Sequence, residues 1–152
     1  MRYFAYGANM HPRQMAKGSP AARVLGPGLV EGFRLTFSVY SDRWKGGAAN
    51  IMPDEGGRVW GVVWDVPGED VAKLDTFVGH PTFYRHDDVA VRIADSLETC
   101  RTYRIAHQHG YVKPDPGYVQ LLRSAIREQG LPVEALDLLE RAAALPYPRI
   151  DT

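Results

Sequence analysis

The residues best suited to chemistry lie in one short segment near the start of the chain. An apolar stretch over residues 3–6 runs directly into Gly7, Ala8, Asn9 and Met10. A glycine after a strand lets backbone N–H groups turn outward toward a ligand. Such donors suit an anion or the oxyanion of an acyl transfer. Asn9 can either bind a ligand or cap its own turn, and its residue type alone leaves both roles open.

The rest of the sequence offers little metal or cofactor chemistry. His107 and His109 are separated by one residue, but no third ligand follows at a supporting spacing, and Cys100 is the single cysteine. One cysteine forms neither an internal disulfide nor a zinc site. No phosphate loop, nucleophile elbow or zinc signature is present. We therefore expect neither a metal nor a cofactor.

Composition narrows the class of protein. The 152 residues are enough for one domain with a hydrophobic core, and we predict a single domain over residues 1–152. The 18 basic and 18 acidic residues cancel and are scattered, which disfavours nucleic acid and an anionic membrane surface as partners. No apolar run approaches the roughly 20 residues of a membrane span, and the chain starts without an apolar leader. These features predict a cytoplasmic protein, and the sequence does not specify its oligomeric state.

The elements that must position the chemistry are mainly strands. Residues 33–40 alternate apolar and polar side chains, the period of a half-buried strand. Turn residues such as those of segment 53–57 separate the strands. Strands followed by helices predict an α+β fold with a mostly antiparallel sheet that could close into a barrel. Strands are predicted over residues 2–6, 33–40, 48–52, 58–66, 84–93 and 98–106, and helices over 11–17, 69–77, 116–129 and from 132.

Three motifs in this order resemble the γ-glutamylcyclotransferase family, also called the AIG2-like group. They are the Tyr-Gly-Ala-Asn-Met turn at residues 6–10, the segment Val-Trp-Gly-Val-Val-Trp-Asp-Val at 59–66, and a Leu-Asp helix with a later glycine and tyrosine at 74–84. The similarity extends from residue 3 to about residue 131. It implies a small, mostly antiparallel β-barrel with flanking α-helices.

The resemblance also implies a reaction. These enzymes cyclise a γ-glutamyl amide: the substrate's own α-amine attacks the side-chain carbonyl, releases the attached amine and leaves 5-oxoproline. Because the attack is intramolecular, the protein needs no nucleophile or cofactor and folds the substrate into a reactive geometry. Backbone N–H groups of the turn would stabilise the oxyanion, and a glutamate after Leu-Asp would act as general base. The implied substrate pocket comprises Tyr6, Gly7, Ala8, Asn9, Met10, Tyr84 and Tyr118.

The sequence departs from the family pattern at the general base. Val78 stands where the family has the glutamate, and Ala8 replaces the usual serine. Losing a general base costs on the order of 10² to 10⁴ in rate. His80, whose residue type has a reference pKa near 6.5, could substitute for the glutamate. Asp75, one helical turn earlier, is a second candidate, although it could equally anchor its helix.

The valine at position 78 is also compatible with roles that need no substitute base. The pocket could run a different reaction, or it could be a non-catalytic module that binds a small γ-glutamyl-like ligand. The alignment at Val78 could be offset, with another carboxylate such as Glu55 in the site. The tyrosines at positions 6, 84, 103 and 118 favour a pocket for a small molecule, but they could also fill it and leave a structural domain. An open cavity at Gly7 that Val78 faces would favour the interpretations with a ligand.

Overall fold

The computed structural model of the protein describes residues 1–105 and 110–144. His107 and His109 lie outside these ranges. No helix in the described part is both long enough and apolar enough to span a membrane. The strands are β1 (Arg2–Ala5), β2 (Arg23–Ser41), β3 (Gly46–Asp65), β4 (Tyr84–Ile93) and β5 (Ser96–Ile105). The helices are α1 (Pro12–Gly18), α2 (Val71–Val78), α3 (Pro116–Glu128) and α4 (Val133–Ala144), with short 3₁₀ turns at Ala8–Met10 and Gly68–Asp70.

The five strands form a closed barrel in the order β1-β3-β2-β4-β5. The pairs β1–β3, β2–β3, β2–β4 and β4–β5 are antiparallel, and β1 meets β5 in parallel. Two of these junctions are narrow: the register contains one pair between β2 and β4, Leu29 with Arg92, and one between β1 and β5, Tyr3 with Arg101. The predicted mostly antiparallel barrel with flanking helices is confirmed.

The central hairpin differs from the prediction. β2 begins ten residues earlier than the predicted residue 33, and the two predicted strands at 48–52 and 58–66 belong to one strand, β3. Glycine and proline within residues 26–32 hid the strand pattern, because these residues normally interrupt strands. Segment 53–57 is not a turn between strands. The register passes from Phe33–Pro53 to Glu31–Arg58, so residues 54–57 bulge out of β3.

Gly61, in the middle of the Trp-Gly-Val-Val-Trp motif, allows β1 to lie close against β3. A Cβ atom at this position would clash with the Ala5 carbonyl oxygen and would lie 2.7 Å from the Phe4 ring. Phe4 is wholly buried, as are Val62 and Val63 that follow the glycine. The motif is therefore the place where the first strand packs into the barrel core.

The two C-terminal helices predicted over residues 116–129 and from 132 are confirmed as α3 and α4, although Val133 at the start of α4 is exposed and not part of the core. Asp115 caps α3 by accepting from the Gly117 N–H, and Pro116 occupies the first turn. The helix buries the apolar stripe that includes Tyr118, Leu122 and Ile126. α4 is tied to the barrel by Glu134.

Glu134 links α4 to strand β3 through three hydrogen bonds. Its carboxylate accepts from Arg58 Nε (2.9 Å) and Arg58 Nη2 (3.0 Å), and from Trp60 Nε1 (2.6 Å). The Arg58 bonds, and next the Trp60 bond, lower the pKa of Glu134. This arrangement joins a helix that follows the family motifs to the strand that carries one of them.

We expect Glu134 to stabilise the fold in a pH-dependent way. Because the pKa of Glu134 is lower in the folded protein than in the unfolded chain, its ionised carboxylate stabilises the fold at pH values above the ordinary carboxyl pKa. This stabilisation is lost as the pH falls through the lower pKa of the folded protein. Since the pair is partly exposed, its contribution should stay below about 1 kcal/mol. Urea unfolding of the wild-type protein and Glu134→Gln should differ near pH 7 and converge in acid. An equal difference at both pH values would contradict this account.

Candidate active site

An open cavity of about 80 Å³ lies at the Gly7 turn. Val78, the residue predicted to stand where the family has its glutamate, lines this cavity. The tyrosines do not fill the cavity. Six of the residues predicted for the pocket line it: Tyr6, Gly7, Ala8, Asn9, Tyr84 and Tyr118.

The Gly7 turn is held rigidly by Asn9. The 3₁₀ turn begins directly after Gly7, and the first N–H groups of such a turn have no acceptor within it. Asn9 donates from Nδ2 to Tyr3 Oη at 3.1 Å, and its carbonyl accepts from Trp64 Nε1 at 2.9 Å. The side chain of Asn9 therefore braces the turn against β1, and its main-chain carbonyl ties the turn to β3. Trp64 belongs to the second family motif, so two motifs that are distant in sequence meet here.

Tyrosine hydroxyls around the cavity are fixed by main-chain partners. Tyr84 donates to the Ala49 carbonyl at 2.7 Å, and the Ala49 N–H donates to Tyr118 Oη at 3.2 Å. Tyr6 donates to the Tyr103 carbonyl at 2.5 Å. Burial raises the pKa of Tyr118 to about 12 and that of Tyr6 well above its usual value. These phenols are therefore neutral near neutral pH and can orient a ligand by hydrogen bonding.

Among the described residues that line the cavity, Arg43 is the one charged side chain. Its Nη2 donates to the Phe77 carbonyl at 3.1 Å, and its guanidinium lies 4.8 Å from the centre of the Phe77 ring. Arg43 is exposed, so it lies at the rim. Glu55 is exposed on the bulge of β3 and does not line the cavity. The structure thus gives no support to Glu55 as the substitute carboxylate.

Asp75 connects α2 to two strands directly beside the cavity. Tyr103 Oη donates to Asp75 Oδ1 at 2.5 Å, and His86 Nε2 lies 2.8 Å from the same oxygen. Burial alone would raise the pKa of Asp75, but the bonds to Tyr103 and His86 outweigh it and the pKa is lowered. Burial, and next the bond to Asp75, raises the pKa of Tyr103 far above its usual value. Asp75 is therefore an ionised anchor, and Tyr103 links it to the cavity that Tyr103 also lines.

Two predicted site residues lie elsewhere. His80 does not line the cavity. Its ring stacks on that of His86, with centroids 3.8 Å apart and planes within 2°, and its Nδ1 atom is buried without a partner among the described residues. Met10, the last residue of the 3₁₀ turn, is buried in the core and does not line the cavity. A role for His80 as substitute base stays a prediction.

Asp75, His80 and His86 form a group that could be taken for a metal site. Each offers a ligand atom, and these atoms lie within 4.8 Å of one another. However, the lone pair of an imidazole nitrogen lies in the plane of its ring, and the two rings are parallel. Two parallel rings cannot both direct a lone pair at one ion. The geometry of this group therefore does not fit a tetrahedral metal centre.

A wider groove of about 270 Å³ adjoins the cavity. The two spaces share Arg43, Trp44 and Phe77, along with Val78 and Tyr84. Arg43 and Trp44 come from the loop between β2 and β3, and no local sequence pattern marked them as site residues. Together the two spaces reach the lower end of the roughly 300–1,000 Å³ common for small-molecule sites.

Comparison with known proteins places this geometry in a family. Residues 3–120 match the family model described as "Gamma-glutamyl cyclotransferase, AIG2-like". The chain is 32% identical over 138 residues to a gamma-glutamylcyclotransferase of Bos taurus, an alignment covering 87% of this chain and 73% of the relative. It is 31% identical over 144 residues to the Homo sapiens protein of the same name, covering 91% and 76% of the two chains. A solved structure named gamma-glutamyl cyclotransferase superposes with a TM-score of 0.88 at 29% identity, covering 99% of this chain and 90% of the other.

Proposed function

The chain belongs to the gamma-glutamyl cyclotransferase, AIG2-like family, and from this premise we propose that it acts on a small γ-glutamyl or related acyl amide. The substrate's own amine attacks the acyl carbon and a cyclic product is released. One observation carries the proposal: the cavity at the Gly7 turn is open, and Val78 faces it. An open cavity is what a ligand requires, and it argues against a domain whose tyrosines serve only as core.

The residues around the cavity support distinct parts of this reaction. Backbone N–H groups of Gly7 and Ala8 would face the developing oxyanion, where fixed donors lower the barrier without reorganising. The tyrosine hydroxyls would hold the glutamyl part in a bent conformation. The departing amine would extend into the adjoining groove beside Trp44 and Phe83. The residues named need no cofactor for these tasks, and the cytoplasmic location and single-domain organisation stay predictions.

A second candidate function is a binding module without catalysis. It is favoured by the lining itself, because Arg43 is the one charged side chain among the described lining residues and Val78 cannot accept a proton. A ligand could then bind through Arg43 and the hydroxyls without any proton transfer.

We expect γ-glutamyl dipeptides to bind at the Gly7 turn, as measured by isothermal titration calorimetry. Ala8→Phe places a bulky ring in the cavity and should weaken binding at least tenfold. Val133→Phe is the matched control, because Val133 is 72% exposed on α4. Mass spectrometry of 5-oxoproline in the same samples separates the enzyme from the binding module. Equal binding by Ala8→Phe would contradict the assignment of this cavity.

A further inference from the structure

We propose that Tyr103, backed by Asp75, performs the proton transfers for which a glutamate at position 78 is missing. The inference rests on the proposed cyclisation, since it assigns that reaction's general base. It also differs from the assignment to His80, which does not line the cavity. Tyr103 would be the catalytic residue, and Asp75 would act through it.

The first support is the geometry of α2. Asp75 and Val78 are three residues apart, which puts them on the same side of the helix one turn from each other. Val78 lines the cavity and Asp75 does not. Tyr103 bridges this gap: it lines the cavity and donates from Oη to Asp75 Oδ1 at 2.5 Å. A carboxylate is thus connected to the cavity through one phenol.

The second support is the direction of the hydrogen bond. Because the Tyr103 O–H donates to Asp75, a lone pair of its oxygen is available as an acceptor for a proton from elsewhere. His86 Nε2 lies 2.8 Å from the same Asp75 oxygen, and Arg101 Nη1 lies 3.5 Å from His86 Nε2. The stacked ring of His80 covers His86. These contacts hold the carboxylate in one place, which a relay requires.

The proton movements balance. The substrate's ammonium gives a proton to Tyr103 Oη while the phenol proton passes to Asp75 Oδ1. The lone pair of the neutral amine then forms the new C–N bond with the acyl carbon. The same two protons then move in reverse, from Asp75 to Tyr103 and from Tyr103 to the departing amine, as its C–N bond breaks. The attacking nitrogen also passes its second proton to the departing amine. Tyrosine and aspartate end in their starting states, and the products are the cyclic amide and the departing amine as its ammonium ion.

The test is a double-mutant cycle on 5-oxoproline release from γ-glutamyl dipeptides. Tyr103→Phe keeps the ring but removes the hydroxyl, and it should lower turnover of the otherwise unmodified protein by about 100-fold. In the Val78→Glu background the new carboxylate takes the proton directly, so Tyr103→Phe should lower turnover there by a much smaller factor. Tyr111→Phe, which removes a hydroxyl bonded to the Ala143 carbonyl, is the matched control.

The outcomes are distinct. An equal loss in both backgrounds would assign Tyr103 a merely structural role and overturn the relay, as would no loss at all. If the unmodified protein binds the dipeptides but releases no 5-oxoproline while Val78→Glu does, the relay is overturned and the ligand site survives. If no variant binds or turns over any dipeptide, the proposed function fails together with the relay. Asp75→Asn should reproduce the Tyr103→Phe pattern, and thermal unfolding of each variant identifies any loss of fold.

Discussion

Replacing Val78 with glutamate is expected to raise 5-oxoproline release from γ-glutamyl amines by up to about 100-fold, because a general base contributes about 10² to 10⁴ in rate and transfer through Tyr103 already supplies about 100-fold of it. Val78 lies at the C-terminal end of α2, is only partly buried and lines the cavity. A longer side chain can therefore extend into the open space without displacing core. Its carboxylate would take the ammonium proton directly. It would also be a stronger base than Asp75, because the bonds to Tyr103 and His86 outweigh burial and lower the pKa of Asp75.

Val78→Gln is the control for the glutamate variant, because it adds the same bulk and polarity but no base. Mass spectrometry over a panel of γ-glutamyl amines should show a gain for Val78→Glu and none for Val78→Gln. The gain should appear mainly in kcat, since the new group acts on the proton transfer. Unmodified protein that already turns over as fast as Val78→Glu would show that valine at this position is not disabling.

Phe4→Ala is expected to lower the free energy of unfolding by about 3–5 kcal/mol. Phe4 has no solvent-exposed surface and its ring lies against the backbone of Gly61, where no side chain exists to fill the vacated space. The main-chain carbonyl of Phe4, which the substitution keeps, accepts from Thr102 Oγ1 at 2.8 Å and ties β1 to β5, so the loss comes from the buried ring alone. Loss of the ring would therefore loosen the strand that carries the Gly7 turn.

Urea unfolding followed by circular dichroism measures this loss. Phe83→Ala is the matched control: Phe83 is partly exposed beside Tyr84, with ring centroids 5.1 Å apart, and should cost far less. Similar losses for the two variants would mean that the barrel interior relaxes around the missing ring. Ligand binding by Phe4→Ala should weaken as well, because the turn depends on β1.

The sequence predicted much of the fold because short-range patterns specify its elements. Alternation identified the strand over residues 33–40, and the helix predicted over residues 116–129 is α3, which buries Tyr118. The full length of the β2–β3 hairpin was not predicted, because β2 continues through glycine and proline at residues 26–28 and β3 continues past a bulge. In both places pairing with a neighbouring strand overrides local propensity. That pairing is a long-range contact, which no local window contains.

The candidate site could be predicted only in part from the sequence, because it too depends on long-range contacts. The turn at Gly7 and the departure at Val78 are visible as residues within motifs. The contact of Tyr103 with Asp75 joins residues 28 positions apart and depends on how β5 lies against α2. Arg43 reaches the rim from the loop that ends β2, where nothing in its neighbours marks a function. Residue types can suggest candidates, but the register of the barrel decides which of them meet.

The narrow junction between β1 and β5 is where the barrel should open locally most easily. Tyr3 with Arg101 is its one registered pair, whereas the β2–β3 and β4–β5 hairpins are paired along their lengths. Amide hydrogens near this junction should exchange with solvent through small openings, while those of the hairpins await larger unfolding events. Gly7 follows β1, and Tyr103 lies on β5. A ligand that contacts both Gly7 and Tyr103 would hold β1 and β5 together. Its binding should therefore slow the exchange of amide hydrogens along the β1–β5 junction.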